Sequence, residues 1–334
     1  MRSTPQHGDP AVERIRAIQT EWCGFDVGPP TILGGKSDDL LTQVPPELRA
    51  RIRGIPVGVV HSHQFLKKEA FRARACQCSD GVRFIIIDYR LPLFLDAITR
   101  VLCAEIFEPS PNPDDARAST YEHARHAISE LLFWGTLGEV GGPEQSLPPL
   151  SLCQQGVMAH HVWSLAQEYF ILAHEYAHFI LGHFDSQRCI PLTISGQRCV
   201  LSDGVTVDVF TTAQRGELEA DSAGTNLVLK AANAGTNLTE PERSLLPVGL
   251  ELTFLVFDFI EHILDQDGLE SGKEPAPTST ASHPSGEARW DHWRRQFVSV
   301  LSQYARDIGP AVKVFLRNTA STYMDTRSSI KRRL

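Results

Sequence analysis

His174-Glu175-Tyr176-Ala177-His178 carries the spacing H-E-x-x-H inside a run of helical character. Two imidazoles four residues apart on a helix sit about 40° apart around its axis, so both can reach one ion. The glutamate beside the first histidine points into the same cleft, where it can take a proton from a water polarised by that ion. This is the core chemistry of a zinc hydrolase. Five residues are nevertheless short enough to match by chance, so the surroundings must supply the rest. The helix that would carry the motif is apolar on most faces, through Leu165, Phe170, Ile171, Leu172, Phe179, Ile180 and Leu181. Such a helix belongs at a domain centre. Burying His174, Glu175 and His178 there without partners would cost several kcal/mol, a penalty that a bound ion removes.

A zinc site needs a third protein ligand. The extension H-E-x-x-H-x-x-G-x-x-H would place glycine at 181 and histidine at 184, but the chain has Leu181 and Phe184. His183 lies five residues past His178, about 140° round an uninterrupted helix, and reads as a helix-terminal or supporting residue. The better candidate is downstream, in Arg215-Gly216-Glu217-Leu218-Glu219-Ala220-Asp221-Ser222-Ala223-Gly224. On a helix Glu217, Asp221 and Gly224 share one face. Glu217 could supply a carboxylate to the metal, and Asp221, one turn on, could accept the free ring N–H of a ligating histidine. Ala220 and Gly224 would let this helix approach the motif helix closely. Glu219 points elsewhere and reads as a surface charge. His160, His161, His61 and His63 read as ordinary loop histidines.

H-E-x-x-H followed by E-x-x-A-D resembles the glutamate-zincin metallopeptidases, especially the CAAX-prenyl endopeptidase-like family. Ser282-His283-Pro284-Ser285-Gly286-Glu287-Ala288-Arg289 is similar to that family's downstream His-Pro motif with its following arginine, and residues 174–183 resemble its opening motif, His183 included. The similarity covers about residues 155–300, and soluble Lit-type phage-exclusion peptidases resemble the chain more loosely. The resemblance implies a zincin-like domain with one Zn2+ held by His174, His178 and Glu217, Glu175 as base and Asp221 behind the ligands. The membrane helices of the prenyl-protein proteases are missing. His283 and Arg289 could stabilise an oxyanion or position substrate. The alternative is that Ser282 and Pro284 simply open the last helix, with Arg289 in a structural ion pair, the reading that is favoured for the arginine.

The elements that must hold these residues read as mostly helical α+β. Strands are expected over 55–60 and 81–88, with β-like alternation in 189–212. Helices are expected over 93–107, 119–134, 155–181 with Gly182 as C-cap, 215–232, 245–264 and 285–308, with a tail after Pro310. Residues 1–56 read as an N-terminal extension packed on a catalytic domain spanning 57–334, and 265–282 as a mobile loop. At 334 residues and 42% hydrophobic, the chain has ample material for a core. A net charge of −8 argues against nucleic acid as partner. Seven scattered cysteines without a C-x-x-C pair argue against a structural zinc knuckle or a thioredoxin-like redox site. The N-terminus lacks an apolar secretory core and no stretch reads as a membrane span, so a cytoplasmic placement is expected.

The expected activity is peptide-bond hydrolysis by a single zinc, with an extended protein or peptide substrate lying along a strand edge from 81–88 or 205–211. The alternative is a zinc-binding regulatory or binding module without proteolysis. Glu175 speaks against it, since a non-catalytic zinc site has no need of that base.

Overall fold

A computed structural model describes residues 9–23, 31–32, 44, 46–60, 73–78, 80–88, 90–107, 123, 150–184, 197–200, 206–209, 212–234, 238–270 and 284–331. Within them the chain is mostly helical with a small mixed sheet, the α+β class its patterning predicts. The elements are α1 (Pro10–Cys23), β1 (Thr31–Ile32), α2 (Pro46–Ile52), β2 (Val57–Val60), β3 (Ala73–Gln77), β4 (Arg83–Asp88), α3 (Arg90–Phe107), α4 (Gln154–Ile180), β5 (Gln197–Val200), β6 (Thr206–Val209), α5 (Thr212–Ala234), α6 (Glu240–Glu270), α7 (Gly286–Phe297) and α8 (Gln303–Lys331). The helix expected over 119–134 lies outside the described residues except for His123.

The apolar run of β4 follows from its position. Side chains alternate across a strand, so Phe84 and Ile86 pack with Ala11 and Ile15 of α1, while Ile85 and Ile87 enter the main core. A strand covered on both faces needs no polar alternation. The sheet order is β1-β2-β4-β3, with β4 parallel to β2 and antiparallel to β3. Two consequences correct the sequence reading. Residues 81–88 lie inside the sheet and cannot offer a free edge. Among the described residues the sheet also ends on β3, an edge packed on the motif helix that the sequence hid: Ala73-Arg74-Ala75-Cys76-Gln77 contains no β-branched or aromatic residue to announce a strand.

At the centre lies α4, with α3, α5 and α6 packed around it. Its buried residues run from Gly156 to Ile180 and include Trp163, Phe170 and Tyr176. Phe170 meets Phe254 of α6 edge-on at 4.9 Å. Helix α6 opens on a capping box in which Glu242 accepts from the Thr239 backbone N–H at 2.7 Å. It continues to Glu270, so residues 265–270, expected in the loop, are helical. The remainder of that loop lies outside the described residues. No helix among the described residues is long and apolar enough to cross a membrane.

The last helical stretch differs from its expectation. It divides at Val298–Val300, where Leu301 turns extended and the Ser302 hydroxyl accepts the Ala305 N–H at 3.2 Å to start α8. Helix α8 then runs through Pro310 to Lys331 instead of ending as a tail. Proline removes the donor that would have served the carbonyl four residues earlier. Here Arg294 of α7 donates to that Arg306 carbonyl at 2.8 Å, so the helix loses no satisfied group.

The same arginine approaches Glu251, a fully buried carboxylate of α6 that also accepts from Trp290 Nε1 at 3.1 Å. Burial pushes the Glu251 carboxyl up to about 7, against the pull of Arg294 and Trp290. The unfolded chain releases this proton near pH ~4.3. Glu251 therefore favours the folded state fully below that pH, and its contribution is lost as pH rises through about 7. Glu251→Gln is expected to gain stability relative to the parent between pH 5 and pH 8, read from urea midpoints at both. A difference that stays constant with pH would contradict the assignment.

Candidate metal centre

The motif helix ends where its chemistry begins. Arg51 of α2 donates to the Ile180 carbonyl at 2.9 Å, satisfying an end that would otherwise be orphaned. Gly182 has φ +70°, and the N–H groups of Gly182 and His183 return to the carbonyls of Phe179 and His178. This is a left-handed glycine cap of the Schellman type.

Helix α5 brings the second half of the site. A Cβ on Gly224 would stand 2.9 Å from the His174 backbone nitrogen, closer than packed atoms tolerate. Glycine here is what lets α5 press onto α4 beside the first histidine. Glu217, two turns earlier, then falls opposite both imidazoles. Its Oε2 lies 3.4 Å from His174 Nε2 and its Oε1 lies 3.6 Å from His178 Nε2, while the two Nε2 atoms are 3.2 Å apart. Among the described residues neither Nε2 meets a backbone carbonyl, the partner a structural core histidine would have. Four ligands on bonds of about 2.0–2.1 Å to a tetrahedral ion stand about 3.3 Å from one another. The two Nε2 atoms and the two Glu217 oxygens lie near that spacing, and one ligand atom from each residue falls within 4.8 Å of the other two, so His174, His178 and Glu217 could hold a metal ion.

Behind the ligands sits a buried charge pair. Asp221 is 1% exposed, and its Oδ1 lies 2.9 Å from His174 Nδ1, close enough to hold the ring although out of line for an ideal N–H···O bond. Arg289 of α7 grips the same carboxylate with both arms, Nε to Oδ2 at 2.9 Å and Nη2 to Oδ1 at 2.5 Å. Its guanidinium also lies over the rings of Phe254 and Phe257. Burial works against the Asp221 charge, but Arg289 and His174 overcome it and hold the carboxyl below its usual range. Arg289 is thus committed to Asp221, the structural role of its two sequence readings.

The two histidines respond differently. Burial disfavours a charged His174, yet Asp221 and Glu217 raise its pKa to about 10. His178 is pushed down to about 3 by burial and by its neighbour His174.

Glu175 is buried at 6% exposed, and burial raises its carboxyl to about 7 despite the charge of His174. Its Oε2 accepts the backbone N–H of Ala75 at 2.5 Å. The β3 edge therefore lies directly against the glutamate of the motif, a neighbour that sequence reading missed because no side chain signals it. His183 and Glu219 also join the site. His183 Nδ1 lies 2.9 Å from His178 Nδ1, and its Nε2 lies 3.4 Å from Glu219 Oε2. The 140° separation expected on a continuous helix does not apply, because the Gly182 cap folds the chain back. His283 lies outside the described residues. The residues that follow it start α7, where the Ser285 hydroxyl accepts the Ala288 N–H at 3.2 Å.

Neither the scan against family models nor the searches of curated proteins and of solved structures returned a match for this chain.

Proposed function

We propose that this chain is a zinc-dependent endopeptidase of the glutamate-zincin kind. The observation that carries the reading is the convergence of His174 Nε2, His178 Nε2 and a Glu217 carboxylate at 3.2–3.6 Å spacing, with Glu175 next to the first of them. Two imidazoles and one carboxylate form a donor set that suits zinc, and they leave a fourth position for water or substrate. Zinc in that site would act as a Lewis acid, easing deprotonation of water and polarising the scissile carbonyl.

The chain's own residues do the remainder. Glu175 takes the proton of the attacking water and passes it to the departing amine nitrogen. Asp221, clamped by Arg289, holds the His174 ring in place. The substrate backbone lies along β3. The Cys78 N–H bonds to the Val82 carbonyl, so by antiparallel alternation Cys76 and Arg74 also bond inward to β4. Ala73 and Gln77 then turn their backbone groups outward, and Ala75 gives its N–H to Glu175 and leaves its carbonyl, so an extended peptide can add as a further strand beside the glutamate.

The test is elemental analysis of protein purified without chelator, paired with cleavage of an unfolded protein substrate. The expected result is about one zinc per chain, cleavage that chelation abolishes and zinc restores, and loss of zinc in Glu217→Ala. Zinc without cleavage across unfolded and native substrates would favour a zinc-binding regulatory module instead. Protein with no bound zinc would overturn both.

A further inference from the structure

His174 and His178 are braced in unlike ways. His174 backs onto a carboxylate that is itself buried and clamped. His178 backs onto another imidazole: its Nδ1 is 2.9 Å from His183 Nδ1, the two rings meet edge-on with centroids 5.0 Å apart, and His183 Nε2 lies 3.4 Å from Glu219 Oε2. A ligating histidine usually gives its outer N–H to a carboxylate, a carbonyl or water. A neutral imidazole can serve only if its own proton is on the far nitrogen.

We propose that His183 is a positioning residue for the metal centre, fixing the tautomer and ring plane of His178 through a relay that ends on Glu219. The inference rests on the proposed metal site. If His178 turns Nε2 towards the ion, its proton must sit on Nδ1 and point at His183 Nδ1. His183 then accepts there and carries its own proton on Nε2, the atom that faces Glu219. Each nitrogen in the chain has one role, and no atom is left with two donors facing each other. The backbone builds the relay. Gly182 at φ +70° turns the chain back over the end of α4, and the His183 N–H bonds to the His178 carbonyl at 3.0 Å, tying backbone and side chain of the two residues together. The relay also runs outward, from a His178 side chain 12% exposed to a Glu219 side chain 58% exposed. The second histidine is thereby held from the solvent side of the site, and the first from its interior.

The test measures zinc(II) affinity by competition with a chromogenic chelator, on the full chain, so its reading does not depend on turnover. His183→Leu removes the acceptor and should weaken zinc binding about 10–100-fold. His183→Asn places an amide oxygen where Nδ1 was and should bind zinc close to the parent. Glu219→Leu should weaken binding in the same direction, and Glu219→Gln, which keeps an acceptor, should not. The Glu219 pair changes an exposed side chain and decides the matter even if His183→Leu folds poorly. Long-range 1H–15N spectra of the zinc-loaded parent should show His178 protonated on Nδ1 and His183 on Nε2. Equal affinity in parent, His183→Leu and Glu219→Leu would overturn the proposal. So would equal weakness of the Leu and Asn variants at 183, which would mean that the ring only fills space. A parent that binds no zinc would overturn the metal reading and this inference with it. A parent that binds zinc without cleaving peptides tells against hydrolysis alone, and the affinities still decide the role of His183.

Discussion

Glu175→Gln is expected to lower kcat/KM for peptide hydrolysis by about 10²–10⁴-fold, the usual worth of a positioned general base, while zinc stays near one per chain as in the parent. The structure makes this substitution unusually clean. Glu175 is not among the three atoms that converge on the ion site, so the donor set is untouched. Its Oε2 accepts the Ala75 N–H at 2.5 Å, and a glutamine carbonyl can accept the same bond, so β3 stays docked on α4. What glutamine cannot do is take a proton from water. The measurements are steady-state kinetics on a quenched peptide and zinc content by elemental analysis. Retained turnover would remove Glu175 from the mechanism. Loss of zinc would mean that the carboxylate serves the site electrostatically instead.

Arg289→Met should cost about 3–5 kcal/mol of stability, because it strips the bidentate partner from a buried ion pair and leaves the Asp221 carboxylate with His174 alone beside it. The side chains are 11% and 1% exposed, so water cannot replace the lost guanidinium. For a domain of this size that corresponds to a fall in Tm on the order of 10 °C. Methionine keeps an apolar side chain of similar length beside Phe254 and Phe257, so the loss reads out the guanidinium, with its ion pair and its ring contacts, and not a cavity. Arg289→Lys should recover little, since one ammonium cannot grip both Asp221 oxygens. Calorimetry on the parent and both variants checks this. A variant as stable as the parent but slow in turnover would instead place Arg289 on the substrate, the other reading its position behind a His-Pro pair allowed.

How much was legible in the sequence depended on whether the signal was local. H-E-x-x-H, and the i, i+4, i+7 set Glu217, Asp221 and Gly224, are each written along one helix, and the 3.6-residue period alone brings each set to a common face. The β4 strand announced itself by an unbroken apolar run, because both of its faces are covered, and the α4 helix by an apolar surface on most faces, because three helices pack around it. The misses have the opposite character. Strand β3 carries no strand-forming side chain, and its part in the site is a backbone N–H. Helix α8 survives Pro310 because Arg294, sixteen positions earlier in sequence, supplies the missing donor to the Arg306 carbonyl. His183 stands where its reading as a helix-terminal, supporting residue puts it, but its contact with His178 was not legible, because the rotation assumes a continuous helix and one left-handed glycine at 182 reverses the chain.

The sequence by itself therefore determined which residues could carry the chemistry: His174, Glu175 and His178 on one helix, Glu217 and Asp221 on another. Only the tertiary structure decided that the two sets meet, at 3.2–3.6 Å between candidate ligand atoms. It also decided that Arg289 faces Asp221, that the β3 edge lies on Glu175, and that His183 with Glu219 stands behind His178. The physical reason is the same throughout. Periodicity fixes which side chains share a face of one element. Which faces meet is set by close approach between elements, here by the bare Cα of Gly224 against the His174 backbone, and no regular spacing along the chain encodes that contact.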